Sequence, residues 1–177
     1  MTCVVGIEGK GKVYIGSDSL SSSDYDIRHL KEHKVFKNED YLIGFCGSPR
    51  SGQIIGPKYL PHPETPIEEF IYQIQKQLTD YNLVINDPEI ATTSLINFLI
   101  GHNGSLYQID NDFFIAKFKE NYSAIGSGSS FALGSLYETS KLKLSPEKRI
   151  KKAIKCASYF CGGVGGNIVI KSTNDME

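Results

Sequence analysis

The spacing of apolar residues changes several times along the chain, and each change marks an element. Val4, Val5 and Ile7, then Val13 and Ile15, flank Glu8-Gly9-Lys10-Gly11. β-Branched residues on both sides of a glycine-rich turn predict a hairpin. Beyond a polar stretch from Ser19 to His33, the runs Lys34-Val35-Phe36-Lys37 and Tyr41-Leu42-Ile43-Gly44-Phe45-Cys46 enclose Asn38-Glu39-Asp40 and predict a second hairpin. Residues 47–63 hold three glycines and four prolines, which predicts mainly loop with room for a short helical turn.

The period then becomes helical. Ile67, Phe70, Ile71, Ile74, Leu78 and Tyr81 form one apolar face. Thr65-Pro66-Ile67-Glu68 ahead of them predicts an N-cap, a proline at the first helical position and the glutamate of a capping box. Strands return at Thr92–Ile100 and Ser105–Ile109 around the turn Asn103-Gly104, with shorter ones at 113–118 and 121–125. A helix over Phe131–Ser140 follows, then another opened by Ser145-Pro146-Glu147 and stopped by Gly162-Gly163. Asn167–Lys171 reads as a last strand. Strands gathered around blocks of helix predict an α+β or layered α/β fold, not an alternating wound sheet. Two sheets packed face to face, with helices on their outer faces, accommodate every element.

Bulk properties narrow the function. The 177 residues suit a single domain spanning 1–177, and a net charge of −1 gives no footprint for nucleic acid or an anionic membrane. The most apolar runs are far shorter than the roughly 20 residues that span a bilayer, and no signal-peptide pattern opens the chain. Cys3, Cys46, Cys156 and Cys161 form no CxxC pair, which predicts free thiols in a reducing cytoplasm. His29 and His33 have metal-like spacing but no third ligand nearby, so they predict a solvated pair and no metal site. No cofactor motif is present.

Thr2 carries the candidate chemistry. A threonine hydroxyl is a weak nucleophile until a base takes its proton. An α-amine has a pKa of about 7.7–8.0, so a terminal threonine brings its own base. Removal of an initiator methionine requires a small second residue, and Thr2 is one.

Five stretches then resemble a known family. They are Thr2-Cys3-Val4-Val5-Gly6, Ile15-Gly16-Ser17-Asp18-Ser19, Lys34-Val35, Gly44-Phe45-Cys46-Gly47 and Ala124-Ile125-Gly126-Ser127-Gly128-Ser129. Together they look like the motif series of proteasome β-type subunits and the bacterial HslV peptidase, which are N-terminal-nucleophile hydrolases. The segment from Ile100 through Tyr107 to Ser127 is similar as well. Each motif alone is weak; their order and the steps of 16 residues from Thr2 to Asp18 and from Asp18 to Lys34 carry the resemblance.

The resemblance implies a four-layer αββα sandwich and a threonine-type endopeptidase working in a homo-oligomeric ring. Its substrate would be unfolded polypeptide, supplied by an ATP-driven unfoldase if the likeness to HslV extends that far. Thr2 would be the nucleophile, and Lys34 would tune the site by its charge. Asp18 would orient Lys34, the Gly47 N–H would serve the oxyanion, and Ser127 would bond near the amine. Ile43 and Phe45 would border the pocket for the residue before the cut, giving an apolar preference. Taken singly, Asp18 could cap a turn, Lys34 could be solvated, Gly47 could open a loop, and Ile43 and Phe45 could be core.

The chain also departs from the pattern. Proteasome-type members carry an aspartate three residues before a Ser-Gly-Gly at the end of the last long helix. Here Ser158 stands at the aspartate position and Cys161 replaces the serine. A neutral hydroxyl stabilises a charged partner less than a carboxylate does. Two alternatives therefore remain beside the peptidase: a catalytically silent scaffold subunit, and an amidase acting on a small molecule.

Overall fold

The computed structural model describes residues 1–22, 26–29, 31, 33–38, 40–58, 65–87 and 91–174. Both expected hairpins form. Strands β1 (Val4–Gly9) and β2 (Lys12–Ser17) pair antiparallel, with Val4 opposite Ser17 and Ile7 opposite Tyr14. After a small hairpin of β3 (Leu20–Ser22) and β4 (Ile27–His29), β5 (Val35–Asn38) pairs with β6 (Tyr41–Gly47). Helices α1 (Pro49–Lys58) and α2 (Ile67–Asp80) follow, then β7 (Val84–Asp87), β8 (Ala91–Ser94), β9 (Ile96–His102), β10 (Ser105–Ile109), β11 (Ile115–Ala116) and β12 (Tyr122–Ile125). The chain ends in α3 (Ser129–Ser140), α4 (Pro146–Phe160) and β13 (Val169–Ser172).

The two large sheets run β12-β1-β2-β13 and β11-β10-β9-β6-β5. Because successive strand side chains point to opposite faces, each sheet feeds two apolar layers. Val4 of β1, Ile15 of β2, Val35 of β5, Leu42 and Cys46 of β6 and Leu99 of β9 meet between the sheets. On the outer face of the first sheet, Cys3, Val5 and Ile7 pack against Ala132 and Leu136 of α3 and Ile150, Ala153, Ile154 and Ala157 of α4. On the outer face of the second, Tyr41, Ile43, Phe98 and Ile100 pack against Phe70, Ile71, Ile74 and Leu78 of α2 and Ile55 of α1. Three apolar layers separate four structural ones, and the fold is the αββα sandwich.

Several boundaries differ from the sequence reading. Residues 49–58 are a ten-residue helix rather than loop. At α2 the N-cap is Pro66, with no side-chain cap bond, so the helix starts one residue later than a Thr65 cap would place it. The run 92–100 is broken at Leu95, whose carbonyl accepts the Ser48 N–H at 2.8 Å, and splits into β8 and β9. The polar stretch 19–33 contains β3 and β4, and 113–118 contributes only the two-residue β11. The opening of α4 is as expected: Ser145 caps it by accepting the Lys148 N–H.

Candidate active site

Thr2 stands just before β1, the second strand from one edge of its sheet, so its position is set on both flanks. Its N–H donates to Ser127 Oγ at 3.2 Å, and its carbonyl accepts from Ser127 Oγ and from the Gly128 N–H, each at 3.3 Å. Ser127 lies in the turn between β12 and α3. Gly126, at φ +93°, begins that turn, and any side chain there would run into the Thr2 carbonyl. The Thr2 hydroxyl donates to the Met1 carbonyl at 2.6 Å.

Behind Thr2 lies the buried pair Asp18–Lys34, 3.0 Å apart and only 1% and 6% exposed. The two Asp18 oxygens accept four hydrogen bonds in all. Oδ1 takes the Cys3 N–H and Lys34 Nζ, each at 3.0 Å, while Oδ2 takes the Leu20 and Gly165 N–H groups, each at 3.2 Å. Lys34 also donates to the Leu20 carbonyl at 2.7 Å. A carboxylate holding several donors and a cation is the kind of buried charge that proteins tolerate. Asp18 thus ties the start of β1, the end of β2, the start of β5 and the loop after α4 to one point. Leu20 and Gly165 were absent from the sequence reading, and no motif marks them.

A cavity of about 180 Å3 opens in front of this pair, lined by Thr2, Ser21, Lys34, Phe45, Gly47 and Pro49, among others. Gly47 ends β6 at φ +109°, where a side chain would strike the Leu95 carbonyl. A left-handed backbone of this kind favours glycine. Of the two residues expected in the pocket, Phe45 lines the cavity. Ile43 does not: it is wholly buried among Phe70, Phe98 and the rest of the outer core.

Two thiols flank Thr2 in dry surroundings. Burial pushes the Cys3 thiol up to about 12, helped by the neighbouring Asp18 carboxylate, and pushes Cys46 up to about 11. Both stay protonated at neutral pH. Cys161, the C-cap of α4, reaches Ser127 Oγ with its sulfur at 3.7 Å. Ser158 is exposed on the last turn of α4 and enters none of these bonds. Among the described residues no group of three or more His, Cys, Asp or Glu side chains could hold a metal, and no helix is long and apolar enough to cross a membrane.

No protein-family model matches the sequence, and no curated protein matches it. Solved structures do. BPH from Thiobacillus denitrificans in complex with epoxomicin superposes with a TM-score of 0.82 at 17% identity, covering 97% of each chain. A second structure of BPH from the same organism gives 0.81 at 16%, again over 97% of each chain. The eukaryotic HslV of Trypanosoma brucei gives 0.72 at 18%, over 97% of this chain and 98% of that one. The chain has the fold of these BPH and HslV structures.

Proposed function

We propose that the protein is a threonine-type endopeptidase subunit whose nucleophile is the Thr2 hydroxyl, unmasked when Met1 is removed. One observation carries this reading: Thr2, Lys34 and Gly47 line one cavity, and Ser127 holds the Thr2 nitrogen at its rim. While Met1 is attached, that nitrogen is an amide and no base. Its removal leaves an α-amine, which the nearby Lys34 cation helps keep neutral.

The amine takes the hydroxyl proton as Oγ attacks the substrate carbonyl. The Gly47 N–H donates to the resulting oxyanion. The C–N bond breaks as the amine passes its proton to the leaving nitrogen, and water then releases the acyl group by the same steps. Phe45 gives the pocket an apolar wall, so cleavage follows apolar residues. The substrate is unfolded polypeptide, because an open site of this kind cannot unfold a domain. The subunit works in the cytoplasm within a homo-oligomeric ring that hides the site, fed by an ATP-driven unfoldase.

The test is intact mass followed by labelling with a peptide epoxyketone such as epoxomicin. A Met1-free wild type should gain one label, and Thr2→Ala should gain none while giving the same circular dichroism spectrum. Failure of the Met1-free wild type to label would refute the reading and favour a silent scaffold. That alternative draws on Ser158, which offers the site no carboxylate.

A further inference from the structure

Three exposed aromatic rings stand at the start of α3 and the end of α4, the two elements that flank Ser127 and Cys161. Phe131, Phe160 and Tyr159 are 40%, 62% and 84% exposed. Phe131 and Phe160 stack with centroids 5.3 Å apart, and Tyr159 meets Phe160 edge-on at 4.9 Å. They come from the first turn of α3 and the last turn of α4, so each is tied to a residue at the nucleophile. Phe131 follows Ser127 by four positions on the turn that leads into α3. Phe160 immediately precedes Cys161, whose sulfur touches Ser127. A contiguous exposed apolar cluster marks a surface that binds something.

Resting on the Thr2 reading above, we propose that this aromatic shelf binds the side chain just after the cleaved bond. The side on which the leaving group departs follows from proton transfer. The Thr2 nitrogen must deliver a proton to the leaving amine, and that nitrogen sits on Ser127. The cavity bearing Phe45 and Gly47 takes the acyl side, so the chain beyond the cut runs past Ser127 and Cys161 towards Phe160. Met1 marks this path with an apolar side chain of its own. It starts at the cavity rim and packs onto Gly163, two residues beyond Cys161, leaving no room for a side chain on that glycine. When Met1 leaves, the cavity rim and the surface at Gly163, three residues beyond Phe160, are uncovered. Two stacked rings and a third edge-on present flat apolar surface, which suits an aromatic or large aliphatic residue.

The experiment uses unfolded peptides that share one acyl-side sequence and differ only in the residue after the cut. Wild type should cleave before Phe or Leu roughly tenfold faster than before Gly or Asp. Phe160→Ala should cut that ratio to about twofold, Phe131→Ala should lower it less, and Phe160→Leu should restore part of it. A peptide epoxyketone carries only a small epoxide beyond the reacting carbonyl, with no side chain to reach the shelf, and so reports the acyl half of the site. Its labelling rate should fall far less than the cleavage ratio. Normal labelling with an unchanged ratio in Phe160→Ala would overturn the assignment. So would a Phe160→Ala protein whose only change is in sedimentation, which would make the shelf a contact between copies. A Met1-free wild type that does not label would overturn the Thr2 reading and this inference with it.

Discussion

Replacing either partner of the Asp18–Lys34 pair should destabilise the protein, and the two losses should differ in a definite order. Breaking a buried pair by removing one partner costs about 3–5 kcal/mol, because the other charge is left without compensation. The hydrogen bonds decide where each variant falls. In Lys34→Met the Asp18 carboxylate keeps three backbone N–H donors, from Cys3, Leu20 and Gly165. That places the loss near the low end, about 3 kcal/mol. In Asp18→Asn the Lys34 ammonium loses its counter-charge and keeps only neutral acceptors, the Leu20 carbonyl and the new amide oxygen. The new amide also turns an NH2 group towards donors that had met an oxygen. That places the loss near the high end, about 5 kcal/mol. The double variant should lose less than the two singles added, since neither charge is stranded. Urea denaturation at fixed protomer concentration measures this. With an m-value of about 2 kcal/mol per molar, Lys34→Met should lower the midpoint by about 1.5 M and Asp18→Asn by about 2.5 M. Both midpoints within 0.5 M of wild type, or the reverse order, would refute the reasoning.

Gly47→Ala puts a methyl group against the Leu95 carbonyl at a positive φ, so it should cost several kcal/mol and remove epoxyketone labelling. A variant that labels and melts like wild type would remove Gly47 from the oxyanion role. At pH 8, iodoacetamide should modify Cys156 and Cys161 well before Cys3 and Cys46, read by peptide mass, because Cys3 and Cys46 are buried with raised thiols while Cys156 and Cys161 are half-buried. The same shifts set a pH dependence. A thiol that titrates near 9 unfolded and near 11–12 folded keeps its proton longer in the native state. Its contribution is therefore complete below pH 9 and falls by about 1.4 kcal/mol per pH unit above it, until the folded value is passed. Cys46→Ala should flatten the alkaline limb of a stability–pH curve relative to wild type, and an unchanged limb would count against the burial argument. Ser158→Asp, at an exposed position, should leave the fold intact and raise the rate of epoxyketone labelling. No change would mean that the α4 end does not govern the amine.

What could be read in the sequence, and what could not, has a physical pattern. The hairpins β1–β2 and β5–β6 and the capped start of α4 were legible because local residues specify them. Helix α1 was not. Gly52 reads as a loop residue, yet it sits inside the helix because the Phe45 ring packs directly on it and leaves no space for a Cβ. Its glycine answers a tertiary demand that no local pattern announces. The small hairpin β3–β4 escaped because Ile27, its one large aliphatic residue in β4, is exposed and breaks the in–out alternation that marks a strand. Thr2, Asp18, Lys34, Gly47 and Ser127, singled out by the family resemblance in their order and spacing, lie together in the structure. Leu20 and Gly165 serve through backbone N–H groups, which any residue carries, so their roles left no trace in residue type. Ile43 was misplaced by face alone. It does share β6's outer face with Phe45, but α2 covers it.

The start of β1 is held on one side by β2 and Asp18 and on the other by parts of the chain that come much later. Ser127 bonds Thr2 across 125 positions, and Gly165 meets Asp18 across 147. A chain emerging from a ribosome therefore exposes Thr2 first and completes its surroundings last. Until residues 122–165 have been made and docked, β1 lacks its β12 neighbour and Asp18 lacks one of its four donors. Closing such long loops is slow compared with forming the local hairpins. On the Thr2 reading proposed above, the order of synthesis acts as a safety catch: a half-made chain has the proposed nucleophile without the geometry that would let it attack neighbouring nascent chains.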